Sequence, residues 1–267
     1  MSNTLWEKVN YKSKCTFLID KEIYEYDISK ANISVLYENG VIDMNMYNYL
    51  YNAPKNTRSI IVGKLQGRDR KVTEVLKQGI ANARRIFLES NHIDDSDIIA
   101  IRNDAITYVG RAANVVNTSP YVHFRQSGKY TSFYRINYID FLYNFDIVTQ
   151  YEHLDVKGLG DNATNLHMNY MLEFLSELFY SAQIEGVKNA LILLQMFRDN
   201  YINMKLDIGY YRELNPGSHY KFLNMSQVSY LYTDFLTNYD KKYIDISFNE
   251  AILREFIKIY SFVLFGK

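Results

Sequence analysis

The stretch IYEYDISKANISVL, residues 23–36, decides the fold. Its first half is rich in β-branched and aromatic residues, which is typical of a strand, and it ends at Asp27. Ser29 follows with a hydroxyl that can cap a helix, and the apolar spacing after it predicts a helix closed by Gly40. An aspartate at the end of a strand can face a cleft while its backbone stays anchored in a sheet.

A second stretch, IIAIRNDAITYV at residues 98–109, reads as two short strands joined at Asn103-Asp104. Such a pattern predicts a tight hairpin with Asp104 at its tip. If the two strand regions are neighbours, Asp27 and Asp104 converge. Two converging carboxylates suit a two-metal phosphoryl-transfer site, because each divalent cation needs anionic oxygen ligands. The structural alternative is that Asp27 caps a helix and Asp104 only forms a turn.

Other local patterns predict the remaining elements of the first half. Residues 14–28 suggest a hairpin, and Asp43 is a suitable N-cap for a short helix that stops before Pro54. Residues 71–90 give a clear amphipathic helix, with basic side chains predicted on faces other than its apolar stripe. These basic residues are Lys71, Lys77, Arg84 and Arg85.

A third predicted hairpin turns at Ser127-Gly128. Basic and aromatic residues alternate around it, a pattern that can stack bases and contact phosphates, or simply cover a core. The candidate nucleic-acid-binding residues are Arg125, Lys129, Tyr130 and Arg135. From about residue 163 onward, apolar residues at helical spacing predict mainly helices, with one hairpin near residues 210–222.

Composition narrows the class of protein. The net charge is zero, so nucleic acid would have to bind at a local patch rather than through a global positive field. A single cysteine fits a reducing compartment, and neither a signal peptide nor a membrane span is apparent, so we expect a cytoplasmic protein without a membrane partner. The excess of tyrosine, 25 residues, fits the codon bias of an A/T-rich genome.

The segment DISKANISVL, residues 27–36, resembles motif A of the family A DNA polymerases, and Asn103-Asp104-Ala105-Ile106 resembles their motif C. The resemblance implies a palm-type nucleotidyltransferase, in which Asp27 and Asp104 hold two catalytic Mg²⁺ (or Mn²⁺) ions. It also implies that the protein acts on nucleic-acid ends with nucleoside triphosphates. The nucleotide-binding candidates are Asn32, Lys64, Arg68 and Lys71.

The expected fold is therefore α+β: a small antiparallel palm-like sheet with helices over residues 1–155, followed by a mainly helical region over residues 156–267. The chain departs from the polymerase motifs at Asn32, Ser34, Asn103 and Ala105. These departures leave two alternatives open. The protein could be an inactive palm-like accessory protein of a phage, binding nucleic acid or another protein in the host cytoplasm, or it could be a metal-dependent nuclease.

Overall fold

A computed structural model describes residues 5–136, 139–158, 166–202 and 205. The contacts divide the chain into two compact units: unit 1 contains Met1–Cys15 and Lys21–Lys129, and unit 2 contains Thr16–Asp20 and Tyr130–Lys267. Both helices and antiparallel strand pairs are present, which confirms the predicted α+β class.

In chain order the described strands are β1 (Asn10–Lys12), β2 (Phe17–Leu18), β3 (Ile23–Ile28), β4 (Ile98–Arg102), β5 (Ala105–Val109), β6 (Phe124–Tyr130), β7 (Ser132–Ile136), β8 (Ile139–Asp146) and β9 (Tyr151–Lys157). The described α-helices are α1 (Ala31–Glu38), α2 (Met44–Asn52), α3 (Lys55–Arg68), α4 (Arg70–Ser90), α5 (Leu166–Tyr180) and α6 (Val187–Ile202). Short 3₁₀ turns lie at Leu5–Glu7 and Asp95–Asp97, and a π-helical turn lies at Ser181–Glu185.

Unit 1 is built on a five-stranded sheet in the order β1-β4-β5-β3-β6. β3 and β5 are antiparallel, with Glu25 opposite Thr107. β4 and β5 form the predicted hairpin, whose turn contains Asn103 in the left-handed conformation at φ 53°. Asp27 therefore lies on β3, and Asp104 directly precedes β5, the strand paired with β3.

Helix α1 follows β3 as predicted, but its first turn is built differently. Lys30, at φ 49°, occupies the N-cap position and makes no side-chain cap. Ser29 instead donates its backbone N–H to the carbonyl of His123, at 3.0 Å, so the predicted Ser29 cap is wrong. The predicted end is confirmed, since Gly40 has φ 68° and the N–H of Val41 bonds to the carbonyl of Leu36 in a Schellman arrangement.

Side chains on one face of β3 contribute to the apolar core of unit 1. Tyr24, Tyr26 and Ile28 point into the apolar cluster, where the ring of Tyr26 lies 5.3 Å from that of Phe87. Phe87, on α4, stacks on Phe124 with 4.2 Å between ring centroids. Asp27 lies on the other face of β3, because side chains alternate along a strand. Its backbone is therefore fixed by the strand while its carboxylate lies outside this apolar cluster.

Two further predictions from local pattern are confirmed and two are wrong. Asp43 caps α2, accepting the N–H of Met46 at 2.8 Å, and the amphipathic helix predicted at residues 71–90 is α4. The predicted 14–28 hairpin does not form, because β2 pairs with β7 rather than with β3. The predicted turn at Ser127-Gly128 lies inside β6, so no hairpin forms there.

Unit 2 contains a four-stranded sheet in the order β2-β7-β8-β9. Its core includes Phe179 of α5, whose ring lies 5.6 Å from that of Tyr143. β9 pairs with β8 along its length, from Asp146 opposite Tyr151 to Asp140 opposite Lys157. The boundary predicted after residue 155 stays a prediction; residue 155 itself lies in β9, and the contact-based division of the chain falls after Lys129. The hairpin predicted near residues 210–222 lies outside the described residues.

Candidate functional site

The two predicted carboxylates line one cavity in unit 1, with a volume of about 780 Å³. Asp27 is the penultimate residue of β3, and Asp104 is in the turn between β4 and β5. Since β3 and β5 are hydrogen-bonded neighbours, both aspartates lie at the same end of the sheet. The predicted convergence of these two strand ends is therefore present.

Asp27 is held by an arginine from the next strand. Arg125, on β6, donates from Nε to Oδ1 of Asp27 at 2.7 Å and from Nη2 to Oδ2 at 3.1 Å. The Arg125 side chain is 66% exposed and that of Asp27 is 24% exposed. The pKa of Arg125 is raised, chiefly by its hydrogen bond to Asp27. Both oxygens of Asp27 are thus engaged, but by a cation that is largely in solvent.

Asp104 is half-buried, and the pKa of its carboxyl is raised above the ordinary value. Burial is the largest cause, and the negative charge of Asp27 adds to it. The residue's own backbone N–H and the charges of Arg84 and Arg125 oppose the rise in pKa. The two carboxylates therefore interact electrostatically, and a cation placed between them would favour the ionised form of Asp104.

Arg84 lies beneath the turn that carries Asp104. It is 1% exposed, and its Nη1 donates a short hydrogen bond to the carbonyl of Asn103. Burial lowers the pKa of this guanidinium to about 10, while the charge of Asp104 opposes that shift. The prediction that Arg84 lies away from the apolar stripe of this helix is wrong. Its position four residues after Ile80 and four before Leu88 places it on the apolar row of α4, and that spacing was the available signal.

Basic side chains that sequence reasoning missed line the helical wall of the cavity. They are Lys30, Lys55, Arg58 and Lys77. Lys30 is already engaged, because its Nζ donates to the carbonyl of Tyr51 at 2.5 Å and lies 3.2 Å from the centre of that tyrosine's ring. Within the part of the chain that the structure describes, Lys55, Arg58 and Lys77 form no ion pair.

Of the four predicted nucleotide-binding residues, one lies in the cavity lining and three do not. Asn32 lines the cavity. The exposed side chains of Lys64, Arg68 and Lys71 are not among the residues of its lining. Helical phase explains the difference, because α3 turns Lys55, Arg58 and Ser59 toward the cavity and Lys64 away from it.

The predicted nucleic-acid-binding residues do not form one exposed hairpin. Arg125 lines the cavity, and the Nζ of Lys129 lies 5.8 Å from the centre of the Tyr24 ring, both in unit 1. Tyr130 is fully buried in unit 2, where its hydroxyl bonds to Asp155. Arg135 is also buried there and pairs with Asp140. Neither Tyr130 nor Arg135 presents a surface on which a nucleic acid could lie.

A known protein family matches this chain and shows that it comes from a phage. The bacteriophage PBS1 gene 130 protein family matches residues 1–261. The chain belongs to this family. It is therefore a phage protein, as predicted. No curated protein matches it.

The described part of this PBS1 gene 130 family member contains no helix that is both long and apolar enough to cross a bilayer. It also contains no group of three or more His, Cys, Asp and Glu side chains arranged to hold a metal ion. Two carboxylates nevertheless fit Mg²⁺, which commonly binds through one or two carboxylates and completes its shell with water and substrate phosphates. Asp27 and Asp104 are the residues of this family member that would hold such an ion.

Proposed function

We propose that this phage protein is a Mg²⁺- or Mn²⁺-dependent nucleotidyltransferase of the polymerase palm type, which adds nucleotides from nucleoside triphosphates to nucleic-acid ends. One observation carries the proposal. Asp27, on β3, and Asp104, in the β4–β5 turn, interact electrostatically and line one cavity. The same cavity is lined by three cations that have no acidic partner among the residues that the structure describes. Phosphoryl transfer needs negative ligands for the metal and positive groups for the phosphates in one place.

The proposed roles follow from the lining of the cavity. Asp27 and Asp104 would hold the divalent cation, which supplies Lewis-acid activation of the attacking hydroxyl and neutralises charge on the leaving group. Lys55, Arg58 and Lys77 replace Lys64, Arg68 and Lys71 as the residues proposed to bind the triphosphate. They form no ion pair with any residue that the structure describes, and they line the same cavity as the aspartates.

Two groups are proposed to meet the rest of the substrates. Asn32, on the first turn of α1, lines the cavity and is proposed to contact the nucleotide. Arg125 and Lys129, which share one side of β6, are proposed to contact the nucleic-acid backbone. The proposed place of action is the host cytoplasm, where nucleoside triphosphates and Mg²⁺ are both abundant.

Nucleotide incorporation by the full chain tests the proposal. Labelled primer–template duplexes and single strands are incubated with nucleoside triphosphates and Mg²⁺ or Mn²⁺. We expect Asp27→Asn and Asp104→Asn each to reduce incorporation by orders of magnitude, with melting temperatures close to that of the wild type. Asp95→Asn is the matched control, because Asp95 is exposed and is not part of the cavity lining.

Incorporation that survives both substitutions would contradict the proposal. Degradation of the labelled strand without added nucleotide, lost in the same two variants, would instead identify a nuclease, because water would then be the nucleophile.

A second candidate is a non-catalytic binding protein that uses the same cavity. It is favoured by the bidentate Arg125–Asp27 pair, which already neutralises one of the two carboxylates. Under this alternative, Mn²⁺ and nucleotide would leave the melting temperature unchanged, whereas a nucleic acid or protein partner would raise it.

A further inference from the structure

Arg84 is a buried cation without a carboxylate within ion-pair distance in the described part of the chain. Its Nε is also buried and makes no hydrogen bond there. Burying an incompletely paired charge is costly, and an apolar residue on the same helix row would pack without that cost. The presence of an arginine at this position therefore needs a reason other than packing.

The hydrogen bond that Arg84 does make supplies the reason. Its Nη1 donates to the backbone carbonyl of Asn103, the residue directly before Asp104. Asn103 has the left-handed backbone conformation that the turn requires, with φ 53°. The guanidinium thus stabilises the turn by binding the carbonyl of the peptide bond between Asn103 and Asp104.

The electrostatic attraction between Arg84 and Asp104 also favours this position of the turn. Arg84 and Asp104 line the same cavity and attract each other electrostatically, but their side chains form no direct ion pair. Arg84 therefore leaves the oxygens of Asp104 available to another cation. Arg125 behaves differently, because it occupies both oxygens of Asp27.

We infer that Arg84 is a positioning residue for Asp104: it fixes the Asn103-Asp104 turn so that the carboxylate meets the divalent cation. This inference rests on the proposed function for the role of Asp104, and on the Arg84–Asn103 hydrogen bond for the ordering of the turn.

The test compares Arg84→Met and Arg84→Lys with the wild type in the full chain. Three quantities are measured: amide hydrogen exchange of residues 102–105, the Kd for Mn²⁺, and the kcat and KM for nucleotide incorporation. Arg85→Met is the matched control, because Arg85 is next in sequence but forms a partly exposed pair with Glu89.

For Arg84→Met we expect exchange in the turn to become roughly tenfold faster or more, and the Kd for Mn²⁺ to rise about 10- to 100-fold, as when residues that support metal ligands are lost. The kcat should fall while the KM for nucleotide stays nearly constant. The melting temperature should be retained, since methionine replaces a poorly paired buried charge. Arg84→Lys should recover part of each loss, because an ammonium group can still donate to the Asn103 carbonyl.

Unchanged exchange in the turn of both variants would overturn the inference. So would a lower melting temperature accompanied by unchanged kcat and Mn²⁺ affinity, because that result describes a purely structural residue. If the wild type neither binds Mn²⁺ nor incorporates nucleotide, the proposed function fails separately. Hydrogen exchange then still decides whether Arg84 orders the turn.

Discussion

Each unit of this protein contains an arginine–aspartate pair with the same geometry. In unit 1, Arg125 bonds to Asp27 from Nε and Nη2 at 2.7 and 3.1 Å. In unit 2, Arg135 bonds to Asp140 from the same two nitrogens, at 2.5 and 2.9 Å. The exposures of the arginine and aspartate side chains are 66% and 24% in the first pair, and 6% and 0% in the second.

The comparison shows that hydrogen-bond geometry does not reveal what an ion pair does. A buried pair is costly to break, because the remaining charge is left in a medium that solvates it poorly. An exposed pair contributes little net free energy, because water screens the attraction and replaces the lost contacts. The Arg135–Asp140 pair is therefore part of the framework of unit 2, whereas Asp27 can exchange Arg125 for another cation at small cost.

The largest expected difference between the two pairs is in stability. Asp140→Asn should lower the free energy of unfolding by about 3–5 kcal/mol, because it leaves a buried guanidinium facing a neutral amide. Asp27→Asn should lower it by only ~0–1 kcal/mol, because Arg125 remains in solvent. Urea denaturation followed by circular dichroism measures both values, and equal losses would remove the basis of the comparison.

A smaller effect is expected on metal binding at the exposed pair. Arg125→Gln should tighten Mn²⁺ binding several-fold, because the substitution removes the cation that competes for the oxygens of Asp27. Isothermal titration with Mn²⁺ measures the change. Arg85→Gln serves as the control for loss of a basic residue that pairs away from the cavity. Weaker binding in Arg125→Gln would mean that Arg125 orients Asp27 rather than competing for it.

The smallest expected effect is the pH dependence of stability at Asp104. Because the pKa of Asp104 is raised in the folded protein, the folded state binds this proton more tightly than the unfolded state does. This residue's contribution to stability therefore falls as the pH rises from 3.8, the ordinary pKa value, through its raised pKa.

Asp104→Asn removes the carboxyl group whose ionisation lowers stability as the pH rises. The variant should therefore be at least as stable as the wild type at neutral pH in the absence of divalent cations. The stability difference between the two should narrow in acid. Thermal melts over a range of pH check this expectation, and a variant that is clearly less stable at neutral pH would contradict it.

Local sequence patterns determined a large part of unit 1. Strand residues leading to Asp27, the Asn103-Asp104 turn, the glycine at position 40 and the cap at Asp43 are each set by a few neighbouring side chains. Backbone preference and capping act over one or two turns of chain, so they can be recognised without knowledge of the fold. The phage origin and the α+β class were likewise open to prediction from the sequence.

Tertiary structure alone decided which strands pair, which cations line the cavity and which arginine–aspartate pair is buried. β2 was expected beside β3 but pairs with β7, and β6 contains the residues that were expected to form a turn. The helical spacing of Arg84 indicates the apolar row of α4, but only the tertiary structure brings its guanidinium to the carbonyl of Asn103. Pairing and burial are set by residues distant in sequence, and the free energy of a charge depends on what the rest of the chain places around it.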